Sequence, residues 1–176
     1  LEKMVIRNAR KTDIDEIMNI EYDSFITGIS ENRNVFLDRI ATFQNGFLVL
    51  EVDSEVLGYI SSEIWEYSEN IDEKMFDLNH DIKKVHKTNG SELYVSSIGI
   101  LKKHRKKGYG NLLFKELLEK ISKKYNISSI ILTVSVKWKP AIKLYEKNGF
   151  KEICRIKEFF EDEDSSDGIV MRKYIN

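Results

Sequence analysis

The chain has 176 residues, 41% of them hydrophobic and one a proline, which is enough to bury the core of a sheet covered by helices and too apolar for a disordered chain. Its 28 Lys and Arg nearly cancel its 29 Asp and Glu, and a formal charge of −1 excludes a nucleic-acid protein held by bulk charge. One cysteine and three scattered histidines exclude a disulfide framework and offer no metal-ligand spacing.

Met4 to Asn8 alternate as a strand, and Thr12-Asp13 then cap a helix whose apolar Ile14, Ile17, Met18 and Phe25 recur at helical spacing. A second helix is expected over 31–43. Gly46 punctuates, and 47–52 with 56–65 reads as a hairpin turning at Asp53, Ser54 and Glu55. From 66 to 90 charged and polar residues surround Met75, Phe76, Leu78, Ile82 and Val85. So long a connection is expected to carry one helical piece and to pack as a lid or as a wall of the substrate site. The remaining order is strand 91–101, helix 109–124, strand 128–134, helix 138–147 and strands 150–160 and 169–174. Cys154, in an alternating strand pattern, reads as a small core residue. The acidic run Glu161 to Asp167 separates the last two strands, either as a solvated loop tip or as a rim that attracts a cationic amine. No apolar run reaches the roughly 18 to 20 residues that span a bilayer, and no leader pattern opens the chain. The expectation is a single cytoplasmic domain over 1–176, a monomer or homodimer, with no membrane or nucleic-acid partner.

The most informative stretch is Arg105-Lys106-Lys107-Gly108-Tyr109-Gly110, because it follows an apolar strand and opens an amphipathic helix. Glycines let the backbone approach an anion, and the first-turn amides of a helix supply unsatisfied donors. The dense basic run from Lys102 to Lys107 fits attraction of a polyanion. An ordinary turn is the alternative. Downstream, Ala141-x-x-Leu144-Tyr145-x-x-x-Gly149-Phe150 lies on a short helix that closes into a strand.

These two motifs together resemble the acetyl-CoA-binding core of the GCN5-related N-acetyltransferases (GNAT superfamily). The resemblance implies a mixed α/β fold with a mostly antiparallel central sheet, splayed at the cofactor slot, and helices on both faces. It implies an acetyl-CoA-dependent N-acetyltransferase in which a primary amine attacks the thioester directly. The strand before the phosphate turn would carry a bulge. The backbone of Ile98, Gly99 and Ile100 would pair with the pantetheine arm as an added strand does, one amide serving as oxyanion donor. Residues Arg105, Lys106, Lys107, Gly108, Tyr109, Gly110 and Asn111 would hold the pyrophosphate, with side-chain charge from Lys103 and Arg105. Trp138 is a candidate cap of the slot. Tyr145 would face the sulfur of the departing coenzyme A, by hydrogen bond or proton transfer. For the general base, Glu92 stands where relatives hold a carboxylate, and His80 and His86 have suitable intrinsic pKa values.

Phe159-Phe160 and Asp167-Gly168-Ile169-Val170-Met171 are similar, in degraded form, to the end of the ribosomal-protein alanine and other protein N-terminal acetyltransferases. Those enzymes carry tyrosines where this chain has phenylalanines, which offer area without a hydrogen bond. Thr133 occupies a position where the ribosomal enzyme has a glutamate, and Trp138 one where an asparagine is common. These departures, with the acidic loop and Glu63, Glu66 and Glu69, lead us to expect a small cationic acceptor such as a polyamine. The alternatives are a peptide α-amine, a non-catalytic acyl-CoA sensor and an RNA-binding module, for which only Tyr109 among the aromatics lies close to the basic run.

Overall fold

The computed structural model describes residues 2–24, 31–160 and 165–175. Seven strands form one sheet: β1 Met4–Asn8, β2 Phe47–Val52, β3 Glu55–Trp65, β4 Glu92–Ile100, β5 Ser129–Ser135, β6 Lys151–Phe160 and β7 Ser166–Tyr174. Their spatial order is β1-β2-β3-β4-β5-β7-β6, and each neighbouring pair is antiparallel except β4 with β5. The helices are α1 Ile14–Ser24, α2 Arg33–Thr42, the single turn α3 Ile82–Val85, α4 Tyr109–Lys124 and α5 Lys139–Lys147.

Residues 58 and 59 tell the two faces apart, because successive strand residues point to opposite sides. Tyr59 reaches Glu21 of α1, whereas a Cβ on Gly58 would stand 3.4 Å from Leu113 of α4. Helices α1 and α4 therefore cover opposite faces. Helix α5 lies beside α4, with the Tyr145 ring 6.1 Å from that of Phe114. Main-core side chains such as Ile17, Phe36, Ile60, Leu117 and Leu132 are buried between these layers.

The β2–β3 hairpin turns on Asp53 and Ser54 alone, both at positive φ (51° and 70°), so Glu55 already belongs to the strand. A two-residue turn with both central residues left-handed matches the twist of its strands. Asp13 does not cap α1 as expected. Its carboxylate takes Arg7 in two 2.8 Å bonds and the Arg10 amide at 2.7 Å, in a 3₁₀ turn that precedes the helix. The 66–90 connection contains two short helical pieces, a 3₁₀ turn Glu73–Phe76 and α3, each started by an aspartate side chain, Asp72 or Asp81. Phe76 anchors it in a second apolar cluster with Trp65 and Tyr94. Cys154 is half-buried beside that cluster. Phe25 and Glu161 to Asp164 lie outside the described residues.

Strands β4 and β5 are in register only at Glu92↔Ser129, Leu93↔Ile130 and Tyr94↔Ile131, and then separate. Ser61 pairs with Ser97 but Ser62 pairs with Val95, which leaves Ser96 as an extra residue in β4. Such a bulge bends and twists its strand. Over the same length β5 stays paired with β7 from Ser129 to Ser135. One strand turns away while its neighbour is held, and a wedge opens through the sheet.

Candidate active site

The wedge forms a cleft of about 370 Å³ lined by Ile98, Gly99, Ile100, Arg105, Trp138 and Tyr145, among others. Beyond the bulge, the β4 backbone pairs with β3 on one side and, among the described residues, has no strand on the other. Its polar groups there need a partner from outside the sheet.

At one end of the cleft the chain passes through a 3₁₀ turn, Lys102–His104, into α4. Gly108, at φ 82°, is the N-terminal cap of that helix, and a Cβ placed on it would meet nothing within 4 Å. Tyr109, Gly110 and Asn111 form the first turn, whose amides lack intrahelical acceptors; the Leu112 amide is the first to bond back, to Gly108. Arg105 Nε donates to the Ile100 carbonyl at 3.2 Å and ties the turn to β4. Lys102, Lys103, Lys106 and Lys107 are exposed around it. Open backbone donors at a helix start, ringed by cations and continuous with an apolar cleft, suit a long molecule with a phosphorylated end.

Helix α5 begins with Pro140 in its first turn and ends before Gly149, which turns the chain at φ 94°. Its Tyr145 is half-buried, 5.7 Å from the ring of Phe150. Burial pushes the phenol up to about 12, so it is a neutral donor at physiological pH.

Ile98 and Tyr145 also line a second, narrower cavity of about 70 Å³ on the α1 side, with Glu21, Glu31, Leu78, Ser97 and Thr133. Glu21 is 1% exposed. Its Oε1 accepts from Tyr59, whose hydroxyl also meets Ser97 of β4, and its Oε2 accepts from the Glu31 amide at 2.8 Å. Burial raises this carboxyl to about 7, against the lowering effect of those hydrogen bonds. Glu31 is paired with buried Arg39, at 2.6 and 3.2 Å, and takes the Asn79 amide. Leu78 brings the 66–90 connection to the lining of this cavity. Thr133 Oγ1 is buried without a hydrogen bond among the described residues.

The candidate bases read from sequence are placed differently. Glu92 is 1% exposed and accepts from Arg172 at 2.7 and 2.9 Å and from Ser129 at 2.7 Å. It lines neither the cleft nor the narrow cavity, and it lies six residues, about 20 Å, along β4 from Ile98. His80 is bound through Nε2 to Glu63 at 2.8 Å; burial opposes its charge, but Glu63 prevails and raises its pKa. His86 accepts from the Ile64 amide through Nδ1, and burial lowers its pKa. Sequence reasoning missed Glu21. The available signal was a carboxylate four residues after Ile17 and three after Met18, on the stripe that α1 buries.

Among the described residues no His, Cys, Asp or Glu cluster could hold a metal ion, and no helix is long and apolar enough to cross a membrane.

An acetyltransferase (GNAT) family model matches residues 14–150. An N-alpha-acetyltransferase of Sulfurisphaera tokodaii is 34% identical over 160 residues, 89% of this chain and 86% of that one. Among solved structures, the loading GNATL domain of CurA from Lyngbya majuscula superposes with a TM-score of 0.83 at 12% identity, covering 98% of both chains. Arabidopsis thaliana Naa50, solved in complex with the bisubstrate analogue CoA-Ac-MVNAL, gives 0.72 at 18% identity, covering 98% of this chain and 99% of that one.

Proposed function

Because the chain belongs to the acetyltransferase (GNAT) family and is an acetyl-CoA-dependent N-acetyltransferase, we propose that its acceptor is the α-amine at the N terminus of a polypeptide. The observation that carries this reading is the carboxyl group of Glu21, poised at about 7 in the cavity that adjoins the cleft at Tyr145. An α-ammonium of pKa near 8 can pass its proton to such a base at a cost of about 1.4 kcal/mol, whereas a side-chain-like or polyamine ammonium near 10.4 costs about 4.6 kcal/mol. The likeness to the Sulfurisphaera N-alpha-acetyltransferase supports the same acceptor.

Of the carboxylates that suggested a polyamine, Glu161 to Asp164 lie outside the described residues, and Glu63, Glu66 and Glu69 do not line the narrow cavity. Glu63 is fully buried and bound to His80 and Trp65, and Glu66 and Glu69 are exposed outside the narrow cavity.

Acetyl-CoA supplies an activated acetyl group: the amine nitrogen bonds to the thioester carbonyl carbon, the carbon–sulfur bond breaks with its electron pair leaving on sulfur, and the second proton of the nitrogen passes to the thiolate or to water. The chain's own residues would divide the work as follows. The amides of Tyr109 to Asn111, opened by Gly108, hold phosphate while Arg105, Lys106 and Lys107 add field. The open edge of β4 at Ile98 to Ile100 aligns the pantetheine arm and aims one amide at the carbonyl oxygen. Trp138 walls the cleft. Glu21 takes the proton from the ammonium, with Tyr59 and Ser97 fixing its orientation. Tyr145 donates a hydrogen bond to the departing sulfur; at about 12 its phenol is a poor source of a whole proton for a thiolate near 8.5. Residues 66–90 supply one wall of the acceptor cavity within a single acetyltransferase domain.

The test is competition at equal concentration between spermidine and a peptide with a free α-amine and an internal lysine, read by thiol release and mass spectrometry. We expect acetylation at the peptide α-nitrogen. Preferential modification of spermidine or of the lysine side chain would overturn the assignment.

A further inference from the structure

The largest cavity among those described, about 520 Å³, shares no lining residue with either chamber of the active site. It lies between the 66–90 connection and the end of the sheet where β4 begins and β7 ends. Buried Tyr94 stands on β4 between Glu92, which lines this cavity, and Ser96, which lines the acceptor cavity. The volume lies within the range of roughly 300 to 1,000 Å³ found for small-molecule sites.

Its walls are apolar and partly aromatic: Trp65, Met75, Phe76, Val85 and Ile131. Its polar end is built around Arg172, 5% exposed. Nε and Nη2 of Arg172 are spent on Glu92 and on the Ser68 carbonyl, and one face of the guanidinium is covered by the Tyr67 ring at 4.6 Å. Nη1 has no acceptor among the described residues and is not among the atoms sealed from solvent, which leaves it available to a ligand of the cavity that Arg172 lines. Exposed Lys84 and Lys87 stand at the rim, neither in an ion pair among the described residues. Of the carboxylates, Glu92 is neutralised by Arg172, Asp72 caps the Lys74 amide, and Glu66 is exposed. A fixed guanidinium edge selects a planar oxyanion, and the aromatic and aliphatic walls beside it suit an apolar body.

We propose that this cavity is a binding site for a small aromatic carboxylate, separate from the acetyl-transfer site, with the carboxylate on Arg172 Nη1 and the ring against Trp65 and Phe76. No step of acetyl transfer depends on it.

Phenylacetate is the probe and phenylacetamide its neutral control. In a Trp138→Phe chain Trp65 is the remaining tryptophan, since the sequence has two. Phenylacetate should change Trp65 fluorescence with a sub-millimolar dissociation constant, also seen by calorimetry, and phenylacetamide should bind at least about tenfold more weakly. Saturating coenzyme A should leave phenylacetate binding unchanged. Replacing Arg172 would strand buried Glu92, so two other changes test the site. Val85→Trp, read by calorimetry because it adds a tryptophan, should fill the cavity and abolish binding, while Lys84→Glu with Lys87→Glu should weaken it several-fold. Both variants should retain the thermal shift caused by coenzyme A, which reports folding. Absence of binding at about 10 mM phenylacetate, a level any useful ten-atom ligand saturates, would overturn the site. So would equal binding of the amide, displacement by coenzyme A, or undiminished binding to Val85→Trp.

Discussion

At the scale of single residues, the proposed mechanism rests on two groups whose protons are set by burial. Tyr145 sits between aromatic rings with its pKa pushed up to about 12, and Glu21 is raised to about 7. Tyr145→Phe keeps the packing and removes the donor. Turnover should fall roughly ten- to several-hundred-fold while coenzyme A affinity stays the same, as steady-state kinetics beside calorimetry would show; unaltered turnover would make the phenol a packing group. Glu21→Gln should abolish the rise of kcat/KM with pH centred about 7, and it should also change stability. Because the folded pKa of Glu21 lies above its unfolded value of 4.5, the native state holds the extra proton between pH 4.5 and 7. Stability is therefore lost as pH rises through that window, by about 3 kcal/mol once pH passes 7. Glu21→Gln should raise the melting temperature at pH 8 and leave it nearly unchanged at pH 4. A variant with lower stability at pH 8 would show that the hydrogen bonds to Tyr59 and Glu31 outweigh the desolvation of the charge.

At the scale of elements, the proposed cofactor site depends on one glycine and one extra residue. Gly108 adopts φ 82° in open space, so substitution there costs conformation and not contact. Forcing an L-residue into that region costs about 1 to 2 kcal/mol, which the turn relieves by rotating its amides. Gly108→Val should weaken coenzyme A binding by about tenfold or more, and Lys106→Ala by only a few-fold, because an exposed lysine acts through a screened field. Calorimetry at two salt concentrations checks both, and a larger loss from Lys106→Ala would mean that side chains rather than backbone hold the phosphates. Ser96 is the extra residue, and it occurs in Val95-Ser96-Ser97, a run with no glycine or proline to mark it. The family resemblance implies a bulge in this strand, but its position is legible only through the pairing of β4 with β3, since what makes Ser96 extra is the partner that Ser61 and Ser62 choose.

At the scale of the whole molecule, Glu92, Ser129 and Arg172 bind β4, β5 and β7 together at the end where the sheet is closed. That link holds one end shut while the bulge opens the other. Glu92→Gln should leave the Arg172 charge buried against a neutral amide and cost about 3 to 5 kcal/mol, the range for breaking a buried pair. Turnover per folded molecule should stay within about threefold of the parent chain. Denaturant unfolding and active-site-normalised rates separate the two, and lost turnover at unchanged stability would return Glu92 to the role of base.

Local patterns in the sequence determined most of the elements to within a few residues, because alternation in 47–52 and 56–65, helical spacing in 109–124 and glycines at 108 and 149 act over a turn or two of chain. The paired motifs around Gly108 and Tyr145 likewise carried the family, since backbone access to an anion and an aromatic on a short helix are local requirements. What local pattern could not carry was partnership. Whether the carboxylate of Glu92 is a base or half of an ion pair depends on Arg172, eighty residues away, and whether Glu21 is a defect in an apolar stripe or a tuned acid depends on Tyr59, Glu31 and the depth of burial. Asp13 binds Arg7 and the Arg10 amide of the preceding 3₁₀ turn instead of capping α1. A charged group's chemistry is decided by what it faces and how much water it keeps, and both come from the packing of distant segments, which only the tertiary structure supplies.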